Sequence, residues 1–119
     1  MQVSDEFFAF CSGLHQDADI FYGPDLEDWV YGALGFVASD RLSAFRDYLN
    51  GLFASGISDA QLQEMMRHTY ADYSFRGGTR DFFEMTRDAI DAHLRPGTPD
   101  RIALARQAQL KRMDDAEKG

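Results

Sequence analysis

Apolar residues recur every three to four positions in a series of separate stretches along this chain, the spacing that lines one face of an α-helix. Ser4 is placed to cap the first, with Asp5 and Glu6 in its opening turn and Phe7, Phe8, Phe10, Cys11 and Leu14 following, so a helix is expected over about residues 5–15. Residues 16–24 carry no helical period and end in Gly23-Pro24. A loop is expected there, with Ile20, Phe21 and Tyr22 tucked inward. From Asp25 a second stripe runs through Leu26, Trp29, Val30, Ala33, Leu34 and Val37. Gly32 and Gly35 weaken it by about 1 kcal/mol each relative to Ala, but leave a smooth surface for another helix to approach.

Ser39 or Asp40 restarts the chain as a cap, and Leu42, Phe45, Leu49, Leu52 and Phe53 line a third helix that should stop at Gly56, since glycine favours the left-handed terminator. Ser58-Asp59-Ala60-Gln61 reads as a capping box, with Ile57 and Leu62 spaced for a hydrophobic staple. Leu62, Met65, Met66 and Tyr70 continue that fourth helix. Residues 70–78 alternate loosely and close on two glycines, which reads as a structured loop. Thr79 is expected to cap a fifth helix bearing Phe82, Phe83, Met85, Thr86, Ala89, Ile90 and Leu94, stopped by Arg95-Pro96-Gly97. Thr98-Pro99-Asp100 offers a further cap with proline in the first turn. Beyond it, Ile102, Ala105 and Met113 form a thin stripe among charges, as in a helix that frays. The pattern predicts an all-α, single-domain bundle of five or six amphipathic helices: a helical domain over 1–97 and a charged C-terminal helix over 98–119.

Three adjacent pairs complicate the stripes: Phe7-Phe8, Met65-Met66 and Phe82-Phe83. Neighbours on a helix diverge by about 100°, so both members of a pair reach apolar surroundings only if further helices flank the first or a second chain covers it. Flanking helices suffice for a six-helix bundle, and monomer and homodimer both stay open.

Composition supports one globular domain: 45% hydrophobic residues, with ten Phe, five Tyr and one Trp in 119 residues. Charge alters the picture more. The formal net charge is −8, and its placement is uneven. Residues 1–40 hold Asp5, Glu6, Asp17, Asp19, Asp25, Glu27, Asp28 and Asp40 and no Lys or Arg; the remaining twelve acids are balanced by all twelve bases. Such a chain repels phosphate, which argues against nucleic acids and anionic membranes as partners. With no cation in their own segment, these carboxylates are expected to project outward together, either as a solvated face or as a docking surface for a basic protein.

Catalytic signatures are weak. Arg76-Gly77-Gly78-Thr79 lacks the spacing and the lysine of a phosphate loop. Cys11 lies on an apolar stripe with His15 four residues on but no third orienting group, and a lone cysteine suits a reducing compartment. His15, Asp17, Asp19, Asp25 and Asp28 are hard-metal donors within fourteen residues. As a calcium loop starting at Asp17 they fail, because Tyr22 stands where glycine makes the turn and Asp28 where glutamate closes the site. No catalytic residue, metal site or cofactor is expected. No stretch reaches the roughly 18–20 apolar residues that span a bilayer, and the first residues lack a secretory signal, so the expected location is the cytoplasm.

The Phe-rich first helix ending in Leu14-His15-Gln16-Asp17, the Asp25-Leu26-Glu27-Asp28 helix start, the Gly56-to-Leu62 junction, the Ala71-Asp72-Tyr73 loop and Phe82-Phe83 together resemble the small helical immunity proteins of bacterial contact-dependent growth inhibition systems. The resemblance covers about residues 5–94. It implies a non-enzymatic protein that binds and neutralises a cognate toxin domain in the cytoplasm. Of its motifs, His15, Gln16 and Asp17 transfer to this chain, either holding the following loop or touching the toxin. Charge adds Asp19, Asp25, Glu27 and Asp28, with Tyr22, Trp29 and Tyr31 as aromatic anchors wherever they are exposed. The alternatives are a helical protein-interaction adaptor and a metal-binding protein using His15, Asp17 and Asp19.

Overall fold

Ser4 accepts the Phe7 N–H on its hydroxyl at 3.1 Å and so opens α1, Asp5–Ser12. The computed structural model describes residues 3–14, 25–69, 71, 75 and 77–118. Among them follow α2 (Leu26–Leu34), a single 3₁₀ turn (Ser39–Arg41), α3 (Leu42–Ala54), α4 (Asp59–Arg67), α5 (Thr79–Leu94) and α6 (Arg101–Lys118), with no strand. The all-α bundle is therefore as expected. None of these helices is long and apolar enough to cross a membrane. The expected loop at 16–24, including the inward placement of Ile20, Phe21 and Tyr22, lies outside the described residues, as do Tyr70 and residues 72–74 and 76.

The α3–α4 junction follows local chemistry closely. Gly56 takes φ +77°, ending α3. Ser58 accepts the Gln61 N–H at 3.2 Å, while the Gln61 side chain accepts the Ser58 N–H at 2.9 Å. Ile57 and Leu62 are both buried, completing the staple.

The expected Ser39 or Asp40 cap does not form: the 3₁₀ turn Ser39–Arg41 precedes α3, and neither element has a side-chain capping bond. Three further boundaries differ from expectation, the first two for a tertiary reason. First, α1 stops at Ser12 rather than near residue 15, at a close crossing. A Cβ on Gly13 would lie 2.7 Å from a Phe36 ring carbon and 3.0 Å from the Ala33 Cα, so the end of α1 meets the end of α2 at a spot that only glycine fits. Second, Thr79 is not the cap of α5. It is already helical and donates its hydroxyl to Gln63 at 2.8 Å, while the capping carboxylate comes from α4, where Asp59 accepts the Arg80 N–H at 2.6 Å. Gly78, at φ +100°, brings the chain into that carboxylate. Third, α6 is capped by Asp100, which accepts the Ala103 N–H at 3.0 Å; Pro99 therefore precedes the cap instead of opening the helix.

α5 runs through the middle, against α2, α3 and α4. Phe83 stacks on Phe7 at a centroid distance of 5.2 Å, Phe82 stacks on Phe75 at 3.9 Å, and Phe10 lies among Phe45, Phe82 and Phe83. Helices on several sides of α5 bury both members of Phe82-Phe83, and Met65-Met66 is likewise fully enclosed. Phe7-Phe8 is divided: Phe7 is buried and Phe8 is 45% exposed. Burying each such aromatic stabilises the fold by roughly 1.5–3 kcal/mol.

Within the expected 98–119 segment the helix is α6, Arg101–Lys118, which packs along α2. Ile102 and Ala105 are half-buried against the core, and none of its described side chains is fully buried. Gly35 is where α6 comes close, since a Cβ there would sit 3.3 Å from Arg106.

Candidate protein-docking face

The N-terminal end of α2 gathers three of the expected site residues. Asp25 holds the cap position with extended backbone (φ −87°, ψ 126°), and its carbonyl accepts the Asp28 and Trp29 N–H groups at 3.1 and 3.3 Å. The Asp25 side chain makes no capping bond, so it stays exposed, as do Glu27 and Asp28. Three carboxylates suit this position because the helix presents its partial positive charge there. The other faces of α2 are enclosed by α1, α5 and α6. Trp29 and Tyr31 are buried, so neither is the exposed aromatic anchor considered from the sequence.

Among the described residues, the carboxylates of the first forty positions do not stand together and unrelieved, which corrects the sequence expectation for them. Glu27 pairs with Arg101 at the start of α6. Glu6 pairs with Arg41 at 2.6 Å, beside Asp5, Phe36 and Ala38 at the other end of α2. The nine-residue α2 puts about 13 Å between its two ends, at 1.5 Å rise per residue. Cations from later segments reach back to both groups, which no local count of charge foresees. The Glu6 carboxyl is held below its usual value by a backbone hydrogen bond and by Arg41.

Arg101 is the residue that sequence reasoning missed. Its guanidinium pairs with Glu27, lies 4.2 Å from the Tyr31 ring centroid and donates to the Tyr31 hydroxyl at 3.3 Å. The Glu27 hydrogen bond, helped by the charges of Glu27 and Asp28, raises its pKa against the opposing effect of burial. A signal was present: a base in the first turn of a helix opposes the dipole and asks for an acid from elsewhere. One residue row away, a shallow hollow of about 190 Å³ between α2 and α5 is floored by Val30 and Ala89 and edged by Met85, Glu27 and Asp88.

His15, Gln16, Asp17, Asp19 and Tyr22 lie outside the described residues, and with them the metal-binding alternative. Among the described residues no group of three or more His, Cys, Asp or Glu side chains could hold a metal. His68 is exposed beside Glu64 at 3.8 Å, and His93 lies 3.7 Å from Asp100. Burial pushes the Cys11 thiol up to about 12, with the neighbouring Thr69 hydroxyl acting in the opposite direction. It remains a thiol at neutral pH and supplies no nucleophile. In comparisons with known proteins, neither a family model, nor a curated protein, nor a solved structure matches this chain.

Proposed function

We propose that the chain is an immunity protein that binds and neutralises a cognate basic, nuclease-like toxin domain in the bacterial cytoplasm, without catalysis or cofactor of its own. Its docking face is the start of α2, with Asp25, Glu27 and Asp28, together with His15, Gln16, Asp17, Asp19 and Tyr22 of the preceding segment. The observation that carries this reading is the exposed carboxylate group at the α2 N-terminus, in a segment whose first forty residues contain no base. A nuclease cleft must attract phosphate and is therefore basic. An acidic helix end that enters such a cleft excludes the substrate, and its field speeds the encounter.

Asp25 and Asp28 are the informative pair, because Glu27 also serves Arg101. An immunity role requires a toxin gene next to this one; reversing both to lysine should slow association with the basic domain such a gene encodes by at least about tenfold at low salt and flatten the salt dependence of the rate. Stopped-flow or surface-binding kinetics measure this, and unchanged association rates would reject the face.

A further inference from the structure

The start of α2 already holds a guanidinium, and the way it does so shows what that surface selects. Arg101 meets a carboxylate at its edge (Glu27) and an aromatic ring beneath its plane (Tyr31, 4.2 Å to the centroid), with Asp28 adding to the field. A planar guanidinium satisfies edge and face at once, whereas a lysine ammonium satisfies only one of them well. Tyr31 is 6% exposed, so the ring is closed off while this arginine sits against it.

The helix that delivers Arg101 packs along α2 through partly buried and polar contacts. No described side chain of α6 is fully buried, Leu104 and Leu110 are 58% and 59% exposed, and Arg106 donates to the Gly35 carbonyl. The connection back to α5 turns at Gly97, φ +81°, through exposed and half-buried residues. Lifting the start of α6 forfeits the partial burial of Ile102 and Ala105 and uncovers the Tyr31 ring; a second guanidinium covers that ring again and restores the polar contacts.

We propose that Glu27, Asp28 and Tyr31 form a binding site for an arginine side chain of a basic partner protein, occupied in the free chain by Arg101, and that α6 is the strap which the partner's arginine displaces. This rests on the docking role of the α2 start and makes it specific: the partner presents arginine rather than merely positive charge. The hollow floored by Val30 and Ala89 lies on the same side and would receive apolar atoms flanking that arginine.

The full-length protein tests this without a toxin. Backbone amide exchange is followed helix by helix while hexa-arginine or hexa-lysine is added at equal concentration. Hexa-arginine should accelerate exchange in α6 several-fold and saturably while leaving α3 and α5 unchanged, and hexa-lysine should give less than half that acceleration. Arg101→Gln should accelerate α6 exchange without peptide and abolish the further response to hexa-arginine. The proposal is overturned if hexa-arginine leaves α6 exchange unchanged, if the two peptides act equally, or if Arg101→Gln exchanges like the parent protein. Loss of the docking role itself would show separately, as undiminished toxin association of the Asp25→Lys, Asp28→Lys variant.

Discussion

The α1–α3–α5 core and the α2–α6 seam are held by different physics. In the core, Phe7, Phe10, Phe45, Phe82 and Phe83 are essentially inaccessible and pack ring against ring. In the seam, half-buried Ile102 and Ala105 are supplemented by Arg101 on Glu27 and Tyr31 and by Arg106 on a backbone carbonyl. Apolar burial is non-directional and insensitive to moderate salt. Exposed ion pairs are screened and each contributes at most about 1 kcal/mol. Core contacts are therefore lost only on unfolding, whereas the polar contacts of the seam weaken with salt; the proposed docking face lies beside that seam.

The largest way to break this contrast is Phe83→Ala. It should lower unfolding free energy by about 3–5 kcal/mol, equally at low and high salt, in urea denaturation followed by circular dichroism. A loss under about 1 kcal/mol would mean that the aromatic centre is loosely packed.

Gly13→Ala probes the crossing where core and seam meet. Its methyl would meet the Phe36 ring and the Ala33 backbone. Because backbone cannot yield as a flexible side chain does, the cost should be about 1–3 kcal/mol by the same measurement, despite alanine's better helix propensity. A stabilised variant would show that the α1–α2 approach is wider than described.

The smallest effect concerns Glu6, whose folded carboxyl is depressed below the ordinary 4.5. A depressed carboxyl contributes stability that is present above its unfolded value and lost as pH falls through the folded one. Glu6→Gln should therefore cost under about 1 kcal/mol at neutral pH and nothing further in acid, so the two stability curves converge below pH 4.5. High salt should shrink the neutral-pH difference by weakening the Arg41 contribution. Curves that stay parallel through the acid range would remove the Glu6–Arg41 pair from the stability of the fold.

Much of the fold was legible because its signals are local. The capping box at Ser58 and Gln61 and the Gly56 stop depend on residues within a few positions of one another, and both appear where the spacing put them, whereas Met85 and Leu94, expected on the apolar face of α5, are exposed. The misplaced caps at α5 and α6 differ in kind. Asp59 lies 21 residues before the N–H it accepts, whereas Asp100 caps locally, and aspartate is a stronger cap former than the Thr98 two residues before it. At the candidate site, the exposure of Asp25, Glu27 and Asp28 was legible from their place in a first helical turn. Arg101 was not, since it lies 70 residues from Tyr31 in sequence.

The amino-acid sequence on its own determined the all-helical class, most helix starts and stops, the apolar faces and the accumulation of negative charge in the first forty residues, because hydrogen bonding and amphipathicity act over one or two turns. Only the tertiary structure decided which of those charges remain available. Packing α3 and α6 against α1 and α2 brings Arg41 to Glu6 and Arg101 to Glu27, and sets Glu6 and Glu27 at opposite ends of α2. Charge is additive along a chain, but its field depends on distances in space, and those exist only once the helices have packed.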